Sequence, residues 1–340
     1  MAVKFQTPES VSRLMVGLIS PTGGNIYDGC CGTGKLLIDV SDNISKNSAD
    51  STDVTFFAQE KNIEAWEIAK SNFQLHGLEV DIGNNPEGTL LNNIHTNLQA
   101  DFIVSNIPFN QKNWGREILE NDPRWVYGLP PKSDGNFAWI QHYLHHLSDS
   151  GYASLLLPLG SLFTLKTRHI REKIILANKL ECIIELPEKM IEGTGIKTCI
   201  WVLSNNSKKK SLDGSEKRIL MIDCSEMGHM VTKTQREFSE EELLKIIHAY
   251  QVWTFDESDI SHLNQDGFCR ELTVGEISEN DFNLTVNRYV GSNEETSSRL
   301  QLPTLEEQQR IVKELEELIA EQKEVLSKLK DYLLDENEEE

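Results

Sequence analysis

The chain has 340 residues, with 33 Lys plus Arg against 54 Asp plus Glu and a formal net charge of -21. That length suggests about two domains, and the charge repels a phosphate backbone at long range, so a nucleic-acid substrate would call for a basic partner. No apolar run reaches the roughly 20 residues of a membrane-spanning helix, no signal peptide opens the chain, and the 6 scattered cysteines form neither a disulfide framework nor a paired zinc spacing; the expectation is a cytoplasmic protein with reduced thiols, no membrane and no metal.

Thr7-Pro8-Glu9-Ser10 predicts a helix start, with Thr7 as N-cap and Pro8 in the first helical position. Short apolar or β-branched runs predict strands at 25–28, 54–59, 102–105, 152–158, 181–186 and 198–204, with amphipathic helices in most of the gaps. This alternation predicts a doubly wound α/β sheet. Lys208-Lys209-Lys210-Ser211 is a polar connector that places a domain edge between Asn205 and Ser215. An apolar run at 220–222 follows, then helical periodicity over 240–250. Thr304 with Glu307 forms a capping box, and Ile311, Leu315, Leu318, Gln322, Val325, Leu329 and Tyr332 make a heptad seam that must bury its stripe against its own chain or a partner helix. The last six residues read as a solvated acidic tail. The expected parts are therefore 1–210, 211–300 and 301–340.

The first strand hands over to a helix through Tyr27-Asp28-Gly29-Cys30-Cys31-Gly32-Thr33-Gly34-Lys35, where glycines let backbone amides approach a ligand. The spacing is not that of a phosphate-binding P-loop, which ends in Gly-Lys-Ser/Thr. Glu60 closes the second strand, where a carboxylate can accept both ribose hydroxyls of an adenosine-containing cofactor. Asn106-Ile107-Pro108-Phe109 ends the strand at 102–105. It has the makings of a pocket for a planar amino group: the Asn106 side chain and the Ile107 carbonyl are two acceptors, and Phe109 is a flat apolar face. Pro108 keeps Ile107 extended and its carbonyl out of helix pairing. Three polar clusters at strand carboxyl ends define one crevice.

Other motifs read more plainly. His142, His145 and His146 share a predicted helix, and core or solvated histidines fit better there than metal ligands. Cys30 and Cys31 read as small loop-packing residues, since no Pro-Cys dipeptide of the kind used in cytosine C5 chemistry occurs. The Trp-rich segment 110–134, with Trp114, Arg116, Arg124 and Trp125, is either a contact for a displaced DNA strand or a loop packed by its own tryptophans.

Glycine loop, acidic strand end and Asn-x-Pro-aromatic, in that order, resemble the amino-group S-adenosylmethionine methyltransferases. Further segments narrow the resemblance: Asn113-Trp114-Gly115, Asp122-Pro123-Arg124-Trp125-Val126-Tyr127-Gly128, Asn136-Phe137-Ala138-Trp139-Ile140-Gln141-His142, Thr194-Gly195-Ile196-Lys197-Thr198-Cys199 and Asn280-Asp281-Phe282-Asn283-Leu284. Residues 1–290 are similar to the modification subunit of type I restriction-modification systems, which methylates N6 of adenine in DNA. The resemblance implies a class I, Rossmann-like, doubly wound and mostly parallel seven-stranded sheet with a C-terminal helical extension. It implies S-adenosyl-L-methionine as cofactor, with Thr7, Asp28, Gly32, Thr33, Gly34 and Glu60 at its site and Asn106, Ile107, Pro108 and Phe109 around the adenine. Implied partners are DNA, a specificity subunit, a second modification subunit and a nuclease subunit. Residues 303–312 also resemble the spacer helices of specificity subunits.

This chain departs from the family pattern at four places: Gly29 and Ile107 stand where Pro is usual, Lys35 where Gly is usual, and Glu87 where an Asp precedes Gly-Thr-Leu. Lys35 could point out of the cofactor mouth or repel a cationic sulfonium. The family also carries a helical domain ahead of the Thr-Pro motif, expected to lie outside this sequence. Two further readings remain open: methylation of a protein glutamine, which presents the same planar amino group, and a non-catalytic homologue that binds cofactor or partner.

Overall fold

In β1 (Gly24–Asp28), Ile26 and Tyr27 are both fully buried, on opposite faces of the sheet. A strand whose successive side chains are all buried needs a layer on each side, and the chain supplies both. Ile26, Val104, Leu156, Ile184, Ile200 and Ile222 face one core, and Tyr27, Ile103, Leu155, Ile183, Trp201 and Met221 face the other. The computed structural model describes residues 7–47, 53–191, 193–206, 218–255 and 265–291. The connector at 208–211, the heptad seam and the acidic tail lie outside them.

The first core lies under α1 (Glu9–Ile19) and α2 (Lys35–Asn47). After α2 come β2 (Val54–Ala58), α3 (Ile63–Leu75), β3 (Val80–Asp81) and β4 (Ala100–Asn106). The second core is covered by α4 (Asn136–His146) and, after β5 (Leu147–Pro158), by α5 (Arg168–Leu176). β6 (Leu180–Glu185), β7 (Thr198–Ser204) and β8 (Arg218–Asp223) follow. A short two-stranded ladder, β9 (His229–Met230) with β10 (Arg236–Glu237), precedes α6 (Glu240–Phe255), which returns to α1. The described chain closes with β11 (Cys269–Thr273), α7 (Val274–Glu279) and α8 (Asn287–Val290).

The main sheet runs β11-β8-β6-β7-β5-β4-β1-β2-β3. Its seven strands from β3 to β6 carry the expected doubly wound core, parallel except for β7, which runs antiparallel to both its neighbours. β8 then adds parallel to β6, and β11 antiparallel to β8. The expected edge between Asn205 and Ser215 thus falls between two strands of one sheet, and the described residues belong to one compact unit that ends at Gly291. β3 has only two residues, too short for a period to register.

One local expectation is overturned. Pro8, not Thr7, caps α1: its ψ of 152° is extended, so the helix begins at Glu9, and no side chain caps it. Thr7 is left one residue outside the cap and uses its hydroxyl elsewhere.

Candidate active site

The chain lays β2 and β3 on one side of β1 and then returns to place β4 on the other. Such a reversal opens a crevice at the strand carboxyl ends, and Asp28 of β1, Glu60 just after β2 and Asn106 of β4 all stand there. The three clusters expected from the sequence therefore share one edge of the sheet. Gly34, at φ 84°, carries no Cβ because one would collide with the Phe73 ring of α3. The loop is thereby held close to α3, and the Asn72 side chain of that helix donates to the carbonyl of buried Thr33 at 2.9 Å.

Glu60 uses its carboxylate to brace the loop. It accepts the Gly32 amide at 3.0 Å and the Asn62 amide at 2.8 Å. Asp28 is buried and accepts the Cys30 amide at 3.1 Å and the Ser105 hydroxyl at 2.7 Å. Burial pushes its pKa up to about 7, against the pull of those hydrogen bonds. Tyr143 lies 2.6 Å from Ser105 Oγ, and the Cys30 thiol donates to the Asn106 carbonyl at 3.4 Å. Ser105, Tyr143 and Cys30 thus join the glycine-rich loop to the Asn-Ile-Pro-Phe motif. Sequence reasoning assigned no role to Ser105 or Tyr143; a serine inside an apolar strand was the available signal. Burial first, and then Asp28, raises the thiols of Cys30 and Cys31 well above the usual range, which makes both poor nucleophiles.

At the Asn-Ile-Pro-Phe motif, the Asn106 side-chain amide donates to Thr7 Oγ1 at 3.0 Å. An amide nitrogen so engaged turns the Asn106 carbonyl oxygen the other way. Neither that oxygen nor the Ile107 carbonyl accepts a hydrogen bond among the described residues. Ile107 is buried as a side chain, Pro108 borders the cleft, and half-buried Phe109 packs against both cores.

The departures find local compensation. Lys35 Nζ sits 2.8 Å from Asp39 Oδ2, one helical turn on, so its charge is neutralised away from the loop. The i,i+4 spacing was readable in the sequence. A Cβ on Gly29 would lie 2.7 Å from the Tyr27 hydroxyl, so in this chain Tyr27 fills the space a larger residue would need. Thr89 donates its hydroxyl to the Gly29 carbonyl, which ties the Glu87-Gly88-Thr89-Leu90 segment to the loop without the usual Asp.

The aromatic segment resolves toward internal packing. Trp114 is 1% exposed and Trp125 9%, their rings meet edge to face at 5.3 Å, and their indole N–H groups donate to the Pro131 and Leu119 carbonyls. Rings so enclosed fit the internally packed loop rather than a stacking platform for a displaced strand, and Trp114 keeps only enough surface to line a cleft beside the loop. The histidines also divide. His142 and His146 are buried, the latter bonded to Asn93 and the Leu98 carbonyl, and burial pushes it down to about 4. His145 is exposed. Among the described residues no group of three or more His, Cys, Asp or Glu side chains is placed to hold a metal, and no helix is long and apolar enough to cross a membrane.

A cleft of about 210 Å³ opens beside the loop, lined by Gly29, Cys30, Glu60, Lys61, Gly88, Thr89, Leu90, Leu91, Pro108, Gln111, Asn113, Trp114 and Trp139. Its chemistry fits an adenosine that carries a cationic sulfonium. Leu90, Leu91 and Pro108 make apolar walls and Glu60 presents its carboxylate, while Gly32, outside this lining, borders open space of its own.

Comparison with known proteins bears on the family and the fold. Residues 2–298 match the N-6 DNA Methylase family. The chain is 33% identical over 332 residues to the type I restriction enzyme HindI methylase subunit of Haemophilus influenzae, covering 97% of this chain and 72% of that one. It is 26% identical over 337 residues to the MjaIX methylase subunit of Methanocaldococcus jannaschii, covering 97% and 59%. Among solved structures it resembles the type I restriction-modification methyltransferase subunit of Streptococcus thermophilus, with a TM-score of 0.72 and 27% identity over 85% of this chain and 60% of that one. The chain thus spans between about half and three quarters of the length of these relatives. The resemblance read from the motifs is borne out, the fold is that of the class I S-adenosylmethionine-dependent methyltransferases, and the chain belongs to the N-6 DNA methylase family.

Proposed function

We propose that this chain transfers a methyl group from S-adenosyl-L-methionine to N6 of an adenine flipped out of DNA, as the modification subunit of a type I restriction-modification complex. The cofactor supplies an electrophilic methyl on a sulfonium. Glu60 accepts ribose hydroxyls, and the backbone of Gly32, Thr33 and Gly34, supported from beneath by Asp28, bounds the cofactor. An adenine in a duplex cannot present N6 to this crevice, so the base leaves the stack, and stacking on Phe109 offsets part of the few kcal/mol that unstacking costs.

The N6 lone pair is delocalised into the ring, so attack requires the nitrogen to pyramidalise and become partly positive. The Asn106 side-chain oxygen and the Ile107 carbonyl are preorganised acceptors for that charge, and the Phe109 face adds a cation-π attraction of about 0.5–2 kcal/mol. The N6 proton would leave only after methyl transfer, so no residue of this chain would have to act as a general base before attack. Pro108 holds the Ile107 carbonyl free, a role that does not need proline at position 107 itself.

The observation that carries this reading is the Asn106-to-Thr7 hydrogen bond at 3.0 Å, which engages the amide nitrogen and so supports the Asn106 oxygen as an acceptor for a ligand. The net charge of -21 supports a basic partner that reads sequence and holds DNA, here a specificity subunit. The test is methyl transfer to DNA with and without the specificity subunit. Wild type should transfer only in its presence, and Asn106→Ala and Phe109→Ala should each lose at least about 100-fold. Undiminished transfer by Asn106→Ala would refute the pocket.

A further inference from the structure

Arg124 is 6% exposed, yet it carries a charge that the chemistry above does not use. A buried guanidinium persists only where its donors are satisfied, and those of Arg124 reach three separate parts of the molecule. Nε and Nη2 donate to the two carboxylate oxygens of Asp122 at 2.8 Å each, which fixes the plane of the group within its own loop. Nη2 also donates to the Leu90 carbonyl at 2.6 Å. Nη1 donates to His142 Nδ1 at 3.0 Å.

The third bond continues further. Arginine can only donate, so His142 Nδ1 must accept and its Nε2–H donates to the Tyr27 hydroxyl at 3.0 Å. Burial, and then the neighbouring positive charges, hold His142 well below the ordinary imidazole range, as this neutral form requires. The Tyr27 hydroxyl lies 2.7 Å from where a Cβ on Gly29 would stand. Arg124 is therefore connected to the loop floor at Gly29 through β1, to the Leu90 wall directly, and to the wall bearing Trp114 through the edge-to-face contact of Trp114 with Trp125. Each connection ends on the lining of the cleft, although Arg124 itself is not part of that lining.

We propose that Arg124 is a positioning residue for the cofactor, fixing the separation of the Leu90 and Trp114 walls against the Gly29 floor. The inference rests on the cofactor reading of the cleft. A staple that served stability alone could bridge any two elements; this one joins the surfaces that must enclose one ligand. Lysine, with a single nitrogen, cannot span Asp122, Leu90 and His142 together.

Calorimetry with S-adenosylhomocysteine and S-adenosylmethionine, alongside thermal melting without ligand, tests it on Arg124→Lys and Asp122→Asn. The first should weaken binding of both ligands about tenfold and the second about threefold, as expected when charge-assisted hydrogen bonds that hold the walls are lost. In methyl-transfer assays the KM for S-adenosylmethionine should rise in proportion while kcat at saturation stays within about threefold. A lower melting temperature with unchanged affinity would show a structural staple only and overturn the proposal. Should Arg124→Lys fail to fold, Asp122→Asn, which keeps the arginine and its volume, decides by the same criterion. Wild type that binds neither ligand overturns the cofactor reading and this one with it; equal binding by wild type and variants overturns this one alone.

Discussion

Thr7 and Asn106, 99 residues apart, are joined by a hydrogen bond of 3.0 Å from the Asn106 side-chain amide to the Thr7 hydroxyl. The bond links Thr7, one residue ahead of the Pro8 cap of α1, to the end of β4, and it decides which way the Asn106 amide faces. Replacing Thr7 with Val keeps the shape and removes the acceptor. Methyl-transfer kinetics on Thr7→Val should show kcat reduced about tenfold, from the loss of one orienting hydrogen bond. Cofactor affinity by calorimetry should stay within about twofold. A kcat equal to wild type would remove Thr7 from the catalytic arrangement.

Asp28 makes the protein pH-sensitive near neutrality. Its folded pKa of about 7 lies above the unfolded carboxyl value, so its stabilising contribution is complete below the unfolded pKa and is lost as pH rises through 7. Glu185, buried and beside Asp223, is also pushed up to about 7 and acts in the same direction. A cationic cofactor over the loop favours ionised Asp28, so binding should release a proton between pH 6 and 7, and affinity should rise with pH across that range. Calorimetry in buffers of different ionisation enthalpy measures the release, and Asp28→Asn should abolish it. Proton release that persists in the variant assigns it to another group.

Lys35 is expected to matter little to cofactor binding because Asp39 holds its ammonium at 2.8 Å. Lys35→Ala should leave the calorimetric Kd within about twofold, and stability within about 1 kcal/mol, the usual scale for a partly exposed ion pair. A tenfold gain in affinity would mean that the lysine charge does repel the cofactor.

Trp114→Ala should cost about 3–5 kcal/mol, as the loss of a buried indole does, together with its hydrogen bond to the Pro131 carbonyl. Chemical denaturation measures the loss directly. A variant as stable as wild type but defective in DNA binding would restore the strand-stacking role that the buried ring disfavours.

Much of the fold was legible because burial writes itself into the sequence. All six expected strands are present, since alternate residues had to enter one or the other core, and the Gly-rich loop, Glu60 and Asn106 fell at strand ends as read. The apolar run at 220–222 became β8, while β3, β9 and β10 were missed for their length and β11 because Cys269–Thr273 mixes charged with apolar residues. The Thr7 cap failed because Thr-Pro specifies only that a helix starts nearby, and a distant amide competed for the hydroxyl. The tryptophans were ambiguous for a related reason: composition marks an aromatic loop but not which way its rings turn.

The amino-acid order by itself determined the alternation of strands and helices, the motifs at the strand ends and the family, because these depend on local periodicity and on residues close together in the chain. Tertiary structure alone decided that Thr7 orients Asn106, that Tyr27 occupies the space above which Gly29 must stay small, and that Arg124 connects Leu90 with His142. The Thr7–Asn106 and Arg124 contacts join groups brought together only when the sheet reverses at β1 and packs its two layers, whereas Tyr27 meets Gly29 within one strand end. A hydrogen bond depends on distances of a few tenths of an ångström, and packing sets them where sequence spacing does not.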